Sequence, residues 1–373
     1  MRTVPERFKD CVYDAWLMSA GIPADIIRSL LRRYGDPVSV YRNCGKDEAL
    51  SGIVSERTLS LLRENGTEDW MLRTQTVMER FGISALRESD TEYPGTLRDI
   101  NDPPAILFYR GNLQCLNNRT VAMVGSRAAS YEGQKAARKL AHDLGRNGVS
   151  VISGLANGID AAAHWGCIEG NSPTIAVVGC GPDINYPADN QRLRDEILKK
   201  DGLILSEYGP GEKAYGWHFP VRNRIITGLS RALILIEAKI RSGSMTSVQH
   251  ALDQGKDVFV YPGDPSSDKY EGNRQLLREG GIYFTSADDI LEDLDWLDNP
   301  PAVMQNSECS QGDRHASEEE NSVIEALRPG PLGFEQLLSV TAMEPSKLLS
   351  TLTILQIKGR IEAMPGKRYI LKQ

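Results

Sequence analysis

The sequence predicts an α/β protein whose central part is an open, doubly wound parallel β-sheet covered by helices on both faces. Three observations lead to this fold class. Short β-rich runs alternate with helical runs from Thr120 onward, and the turns after these runs are rich in small residues. The residues at both ends of the chain lack this alternation. Alternating strands and helices are typical of parallel sheets. The 373 residues are enough for two or three domains.

Residues 1–88 are predicted to form a small helical domain. Apolar residues recur at helical spacing in 14–18 and 26–31, with Gly/Pro punctuation between these runs. Glycine starts followed by basic helices are typical of SAM-like and helix-hairpin-helix domains, although the glycine pattern is incomplete here. Contact with a DNA backbone and a packing or protein-docking role both stay open for this domain.

Residues 89–294 are predicted to form the sheet-containing core. Its predicted strands are residues 121–124, 149–152, 174–178, 203–205, 232–236, 258–261 and 282–284. Ligands of such sheets bind at the carboxyl ends of the strands, where each strand turns into a helix. The turns at those ends are therefore the candidates for function.

Residues 295–318 are predicted to be a flexible acidic linker, and residues 319–373 a winged helix. Three short helical runs are followed by two short β-runs around the turn 364–367. These helices are predicted at 319–327, 334–340 and 345–358, and the strands at 360–363 and 368–371. Lys358, Arg360, Lys367 and Arg368 gather near the wing. Contact with DNA and a purely protein-binding role are equally compatible with this arrangement.

The net charge of −7 would ordinarily argue against a nucleic-acid partner, but the acidity is local. Residues 285–320 carry −10, residues 1–284 are balanced, and residues 321–373 carry +3. The chain has no run of eighteen apolar residues and no apolar signal-peptide core, which predicts a cytoplasmic protein without membrane contact. Six scattered cysteines without metal-like spacing indicate reduced thiols and no metal site.

The turn after the first predicted strand contains Gly125, Ser126 and Arg127. A hydroxyl and a guanidinium beside a helix N-terminus suit a phosphate group. The chain has neither a GxGxxG fingerprint nor a Walker GxxxxGK[ST] motif, which disfavours nicotinamide chemistry and P-loop ATP hydrolysis. No cofactor is expected.

The turn SGLANGID, residues 153–160, places Gly154 and Gly158 before an alanine-rich helix. These glycines allow a ligand to approach the backbone closely. Asp160 and His164 lie four residues apart on one helical face and form a possible acid/base pair. The favoured interpretation is structural, with Asp160 capping backbone amides and His164 satisfying a neighbour.

Three further turns have similar chemistry. Cys180 lies between two glycines, where it is either a nucleophile or, as the favoured interpretation, a small residue in a tight turn. Ser242, Gly243 and Ser244 form an anion-binding nest before a helix. Asn273 begins or caps another helix. About five such turns suit an extended anionic ligand better than one mononucleotide.

The stretch 207–230 combines rings and cations. Tyr208, Tyr215, Trp217 and Phe219 lie in a Gly/Pro-rich segment that continues directly into Arg222, Asn223 and Arg224. Aromatic faces and guanidinium groups suit a nucleotide or a nucleic-acid strand. The alternative is that the rings plug an edge of the core and the arginines pair with nearby acids.

Together these blocks resemble the DprA/Smf family of DNA-processing proteins. The resemblance runs from Tyr93-Pro94 through Gly125-Ser126-Arg127, SGLANGID and Phe219–Arg224 to Gly272-Asn273 and covers about half of the chain. It implies an extended Rossmann-like core without catalytic residues that binds single-stranded DNA regardless of sequence. It also implies a homodimer that protects incoming DNA and helps load the RecA recombinase during natural transformation and recombination.

The resemblance implies a set of DNA-binding residues by position. These are Ser126, Arg127, Gly154, Asn157, Gly158, Phe219, Arg222, Asn223, Arg224, Ser242, Gly243, Ser244, Gly272 and Asn273. Phosphates are expected at the arginines and serines, and Phe219 or Trp217 is expected to stack on a base. The alternatives are a phosphoribohydrolase-like enzyme that uses Glu237, and an adaptor recruited through its winged helix.

Overall fold

The structure is a computed structural model that describes residues 9–43, 53–297 and parts of the C-terminal region, namely 318–328, 330–341, 343, 347–348, 351–352, 355, 361–364 and 368–371. The chain divides into two compact units, Met1–Ala302 and Val303–Gln373. Most of the predicted linker lies outside the described residues. So do most of the predicted helix 345–358, the turn 365–367 and the side chains of Lys358, Arg360 and Lys367.

The first unit begins with helices. Their bounds are α1 (Asp10–Met18), α2 (Ala24–Tyr34), α3 (Pro37–Asn43), α4 (Glu56–Asn65) and α5 (Glu68–Phe81). Trp16 and Leu17 of α1 are fully buried in a cluster that also contains Ile106 and Phe108 of the sheet. The buried Asp14 of α1 also forms a bidentate ion pair with Arg87 of β1, with hydrogen bonds of 2.8 and 2.9 Å. The helices therefore pack directly on one edge of the sheet.

One nine-stranded sheet forms the centre of this unit. Its strands are β1 (Ser84–Arg87), β2 (Ile106–Gly111), β3 (Arg119–Val124), β4 (Val149–Ser153), β5 (Ile175–Val178), β6 (Leu203–Ser206), β7 (Ala232–Leu235), β8 (Asp257–Val260) and β9 (Ile282–Tyr283). Their spatial order is β1-β2-β6-β5-β4-β3-β7-β8-β9. The predicted strands are confirmed, and β3 to β9 run parallel.

Two strands, β1 and β2, were not predicted from the sequence. β2 pairs antiparallel with β6, and β1 pairs antiparallel with β2. These two strands extend the parallel sheet at the edge where the N-terminal helices pack. The chain therefore forms an extended, mixed β-sheet.

Helices cover both faces of the sheet. Their bounds are α6 (Gly95–Arg98), α7 (Tyr131–Arg146), α8 (Ile159–Glu169), α9 (Gln191–Lys199), α10 (His218–Gly228), α11 (Gly243–Asp253), α12 (Glu271–Arg278) and α13 (Ala287–Asp293). One buried cluster joins α10 and α11 to one face, and a second joins α7, α8 and α13 to the other. The helices on both faces give the predicted doubly wound arrangement.

The second unit contains α14 (Glu318–Leu327), α15 (Phe334–Thr341) and a three-stranded sheet of β10 (Leu332–Gly333), β11 (Ile361–Met364) and β12 (Arg368–Leu371). β12 lies between the other two strands, antiparallel to both. Val323, Leu337 and Leu352 lie in its small apolar core. The β11–β12 hairpin agrees with the predicted wing.

Candidate functional site

A large open cavity lies at the carboxyl ends of the parallel strands. Its volume is about 640 Å³, and turns after β3, β4 and β7 contribute to its wall together with the N-terminal half of α10. β3 and β7 are the neighbouring strands at which the chain order of the sheet changes direction. Such switch points are where open α/β sheets bind ligands. The predicted residues on its wall are Ser126, Arg127, Phe219, Arg222, Asn223, Ser242, Gly243 and Ser244.

A smaller cavity of about 220 Å³ adjoins the first. Gly154 and Asn157 belong to its wall, and Arg127, Phe219 and Arg222 are shared between the two cavities. Ten of the fourteen predicted residues therefore converge at one place, although they come from four separate segments of the chain.

Arg222 forms the floor between the two cavities. It is 3% exposed, and its Nη1 donates to the carbonyl oxygen of Gly154 at 2.9 Å and to that of Val177. Its Nε has no hydrogen-bond partner within the described residues. Burial lowers the pKa of Arg222 to about 10, partly offset by the negative charge of Asp160. A cation held in this way is poorly compensated by the protein.

Two glycines of SGLANGID have structural tasks. A Cβ on Gly154 would meet Nη2 of Arg222 at 2.5 Å, so this glycine leaves room for the guanidinium. Gly158 has a φ of +81°, and a Cβ there would lie 2.3 Å from the carbonyl oxygen of Ser126. Gly158 lies outside both cavity walls. It packs against the backbone of Ser126 and Arg127, whereas the sequence predicted that it would contact DNA.

The possible acid/base pair is a pair of structural residues. Asp160 accepts hydrogen bonds from the backbone amides of Gly154 at 3.1 Å and Ala156 at 3.4 Å. His164 is fully buried and shares a hydrogen bond of 2.7 Å with Thr174 Oγ1. Burial, followed by the charge of Arg222, lowers the pKa of His164 to about 3. The favoured structural interpretation agrees with this geometry.

Arg127 and Phe219 form the outer part of the shared wall. The guanidinium of Arg127 lies 4.9 Å from the ring centroid of Phe219, and the ring of Tyr186 stacks on Phe219 at 5.5 Å. Among the described residues, Arg127 has no ion-pair partner within 4.0 Å. Tyr186 was not among the predicted site residues. Its only sequence signal was its place after the turn that follows β5.

The turn before α11 contributes hydroxyl groups. Ser242 precedes the helix, Gly243 and Ser244 open it, and all three line the cavity, so the N-terminus of the helix lies at the cavity wall. The Oγ of Ser242 is buried and has no partner within the described residues. A helix N-terminus beside an unpaired hydroxyl favours an anion.

Arg224 lies outside the cavity, contrary to the sequence expectation. Its Nη1 and Nη2 form a bidentate ion pair with Glu207 at 2.9 and 2.7 Å, and its Nε reaches Asp102 at 3.3 Å. Arg222 and Arg224 are two residues apart on α10, so they point to different sides of the helix. Arg224 ties α10 to the segments before it.

Gly272 and Asn273 also lie outside both cavities. The fully buried amide of Asn273 accepts from Ala238 N at 2.9 Å and donates to the carbonyl oxygens of Ile236 at 2.9 Å and Tyr261 at 2.8 Å. Its amide thereby fills the hydrogen-bonding needs of backbone groups that follow β7 and β8. A Cβ on Gly272 would lie 2.8 Å from the carbonyl oxygen of Ala238. Both residues serve packing where a ligand contact had been expected.

Glu237 and Cys180 have structural surroundings as well. Glu237 is 1% exposed and accepts hydrogen bonds from the backbone amide of Ser130 at 3.0 and 3.1 Å and from its hydroxyl. It does not line either cavity. Cys180 is buried, and burial raises the pKa of its thiol to about 11. Neither residue is arranged as an exposed nucleophile.

Within residues 9–43, 53–297 and the described C-terminal positions, no group of three or more His, Cys, Asp or Glu side chains is placed to hold a metal ion. The same part of the chain has no helix with the length and apolar character needed to cross a membrane.

Comparison with known proteins identifies the family. Residues 84–295 match the family described as DNA recombination-mediator protein A, and residues 310–367 match the DprA winged helix domain. The DNA processing protein DprA of Streptococcus pneumoniae is 46% identical over 207 residues, which are 56% of this chain and 73% of that protein.

Two solved structures are also similar. An X-ray structure of DprA from Streptococcus pneumoniae has a TM-score of 0.64 and 36% identity, and covers 76% of this chain and 97% of that one. A structure described as giving insights into the single-stranded DNA binding mode of DNA processing protein A from Helicobacter pylori has a TM-score of 0.52 and 30% identity. The match covers 57% of this chain and 96% of that one. The chain therefore belongs to the DprA/Smf family of DNA-processing proteins.

Proposed function

We propose that this protein binds single-stranded DNA without sequence preference and holds its phosphates in the cavity between β3 and β7. The observation that carries the proposal is Arg222, a buried guanidinium in the wall of both cavities whose Nε has no hydrogen-bond partner among the described residues. A buried charge is costly unless an opposite charge compensates it. A phosphate in the cavity would supply that charge, and the exposed donors of Arg127 would lie beside it.

An extended strand suits this site better than a single nucleotide. The donors come from the turns after β3 and β7 and from α10, and the open cavity continues into a second one. Backbone amides, hydroxyls and arginines contact phosphates, which carry no sequence information. The related Helicobacter pylori protein is described as binding single-stranded DNA, which supports the same ligand here.

The finer role is proposed on the basis of family membership. The protein would act in the cytoplasm as a homodimer, protect incoming single strands and help load the RecA recombinase on them during natural transformation, with no catalytic step of its own. Light scattering should give twice the chain mass of 41.2 kDa. RecA assembly on strands already covered by single-strand binding protein should be faster in the presence of this protein; a monomer, or an unchanged RecA rate, would contradict this part.

Fluorescence anisotropy with labelled homopolymers tests the binding proposal. We expect the wild-type chain to bind oligo-dT, oligo-dA and oligo-dC with similar affinity, and Arg127→Ala to weaken binding to all of them alike. Arg231→Ala is a matched control because Arg231 is an exposed arginine that pairs with Asp257 away from the cavity wall. Wild-type affinity in Arg127→Ala would contradict the assignment of the cavity.

The domain division is part of the proposal: 1–88 helical, 89–294 DNA-binding, 295–318 linker and 319–373 winged helix. A chain shortened to residues 1–302, the first compact unit, should keep single-strand binding. Complete loss of binding in this shortened chain would favour the adaptor interpretation, in which the winged helix supplies the contacts.

A further inference from the structure

Two exposed rings stand in the segment that precedes α10. Tyr215 is 46% exposed and Trp217 is 66% exposed. Their planes are nearly parallel, at 12°, with centroids 6.5 Å apart. Both are close to perpendicular to the buried ring of His218, at centroid distances of 5.3 Å for Tyr215 and 4.0 Å for Trp217. Two large rings are thus anchored from one side and open to solvent on the other.

The segment that carries these rings is held to the core. The backbone amide of Gly211 donates to both carboxylate oxygens of Asp183, at 2.9 and 3.1 Å, and Gly181 N donates to the carbonyl oxygen of Glu212 at 2.8 Å. A hydrogen bond of 2.9 Å joins His218 Nδ1 to the carbonyl oxygen of Gly179. The ring of Tyr208 stacks on that of His218, with the two centroids 3.7 Å apart, and meets Trp217 edge-on at 6.4 Å. Rings fixed in this manner lose little conformational freedom when a ligand binds.

The exposed rings adjoin the large cavity. Ala214 and Gly216, which alternate with Tyr215 and Trp217 along the chain, both belong to the cavity wall. Phe219 is less available to a ligand, because the Arg127 guanidinium and the Tyr186 ring both lie against its ring. Trp217 and Tyr215 themselves line neither cavity, so a strand that leaves the large cavity past Ala214 and Gly216 would reach their rings outside it.

We propose that Trp217 and Tyr215 form a stacking subsite for a nucleobase of single-stranded DNA, next to the nucleotide whose phosphate lies in the cavity. This inference rests on the proposed function and assigns its base contact to two specific side chains. Every nucleobase has a π-face, so the subsite is tolerant of sequence, in keeping with recognition of the backbone in the cavity. A second copy of this chain is the rival occupant of the same rings.

The test compares oligo-dT with an abasic oligomer of equal length, using the full chain. We expect Trp217→Ala to weaken binding of oligo-dT by about 5- to 150-fold, the range for loss of one base stack. Trp217→Phe should retain most of the affinity, and Tyr215→Ala should lose part of it. On the abasic strand, wild type and Trp217→Ala should bind equally. Tyr283→Ala is the control, since Tyr283 is an exposed ring on β9 at the far edge of the sheet.

Tryptophan emission gives an independent readout. Trp217 is exposed, whereas Trp16, Trp70, Trp165 and Trp296 are buried or half-buried. Quenching of emission by oligo-dT should therefore be largely lost in Trp217→Phe, and quenching that persists in this variant would contradict the subsite.

Three binding or assembly results would also overturn the inference. One is unchanged affinity of Trp217→Ala for oligo-dT, and another is an equal loss on the abasic strand. The third is a change in molecular mass without a change in DNA affinity, which would assign the rings to a second copy. Absence of oligo-dT binding by the wild type is a separate result, because it removes the proposed function itself and the subsite with it.

Discussion

Replacing Arg224 by alanine separates a structural arginine from a ligand-binding one. The side chains of Arg224 and Glu207 are 9% and 14% exposed, and they share two hydrogen bonds of 2.7 and 2.9 Å. Breaking a buried pair by removing one partner costs about 3–5 kcal/mol because the other charge stays buried. Since Glu207 is reached by some solvent, we expect the lower end, about 3 kcal/mol, in the free energy of unfolding.

Denaturant unfolding of the full chain, followed by far-UV circular dichroism, measures this change. Arg231→Ala is the control, because its pair with Asp257 is 3.5 Å long and both side chains are about half exposed. Such exposed pairs contribute about 0–1 kcal/mol. Folded Arg224→Ala should still bind oligo-dT with nearly wild-type affinity. Wild-type stability combined with lost DNA binding would refute the placement of Arg224 and return it to the cavity.

Three more substitutions test other parts of the structure. Gly158→Ala should lower the free energy of unfolding by at least about 1–3 kcal/mol, the cost of its backbone conformation, and should also weaken DNA binding by displacing Ser126; Gly255→Ala, with a φ of +66° and open space around it, should leave binding unchanged. His164→Gln should reduce the loss of unfolding free energy that the chain shows as the pH is lowered. The folded-state pKa of His164 is about 3 and the unfolded value about 6.5, so the unfolded chain binds the extra proton and stability falls, as pH decreases from 6.5 toward 3, by up to about 1.4 kcal/mol per unit; an unchanged profile in the variant would contradict this. Glu237→Gln should destabilise the start of α7 while leaving DNA affinity intact. The wild-type chain incubated with nucleoside monophosphates should release no base; base release that Glu237→Gln abolishes would favour the enzyme interpretation.

The parallel core could be predicted because its strands are nearly continuous apolar runs. Val121–Val124 and residues 232–235, for example, are fully or almost fully buried, and strands buried on both faces carry that pattern. β1 and β2 were missed because antiparallel edge strands need no such run. Half of β2 is only partly covered, and its last residues, Arg110 and Gly111, do not look like a strand.

The site could be predicted as a region more easily than as a set of side chains. Small residues at strand ends correctly indicated where the cavity lies. The pattern could not separate Arg222 from Arg224, because their roles depend on which side of α10 faces the cavity and where Glu207 folds back. In the sequence, Asn273 resembles a ligand-binding residue because it is polar and follows a strand. In the structure its side-chain amide hydrogen-bonds instead to backbone groups that follow β7 and β8.

The salt dependence of single-strand binding tests the central claim most directly. Each phosphate neutralised on a single strand contributes about −0.7 to the slope of log K against log salt. We predict that Arg127→Ala lowers both the affinity for oligo-dT and the magnitude of this slope by about 0.7, while Arg231→Ala keeps the wild-type slope. An Arg127→Ala variant with the wild-type slope and affinity would contradict the claim that the cavity between β3 and β7 holds the phosphates of a DNA strand.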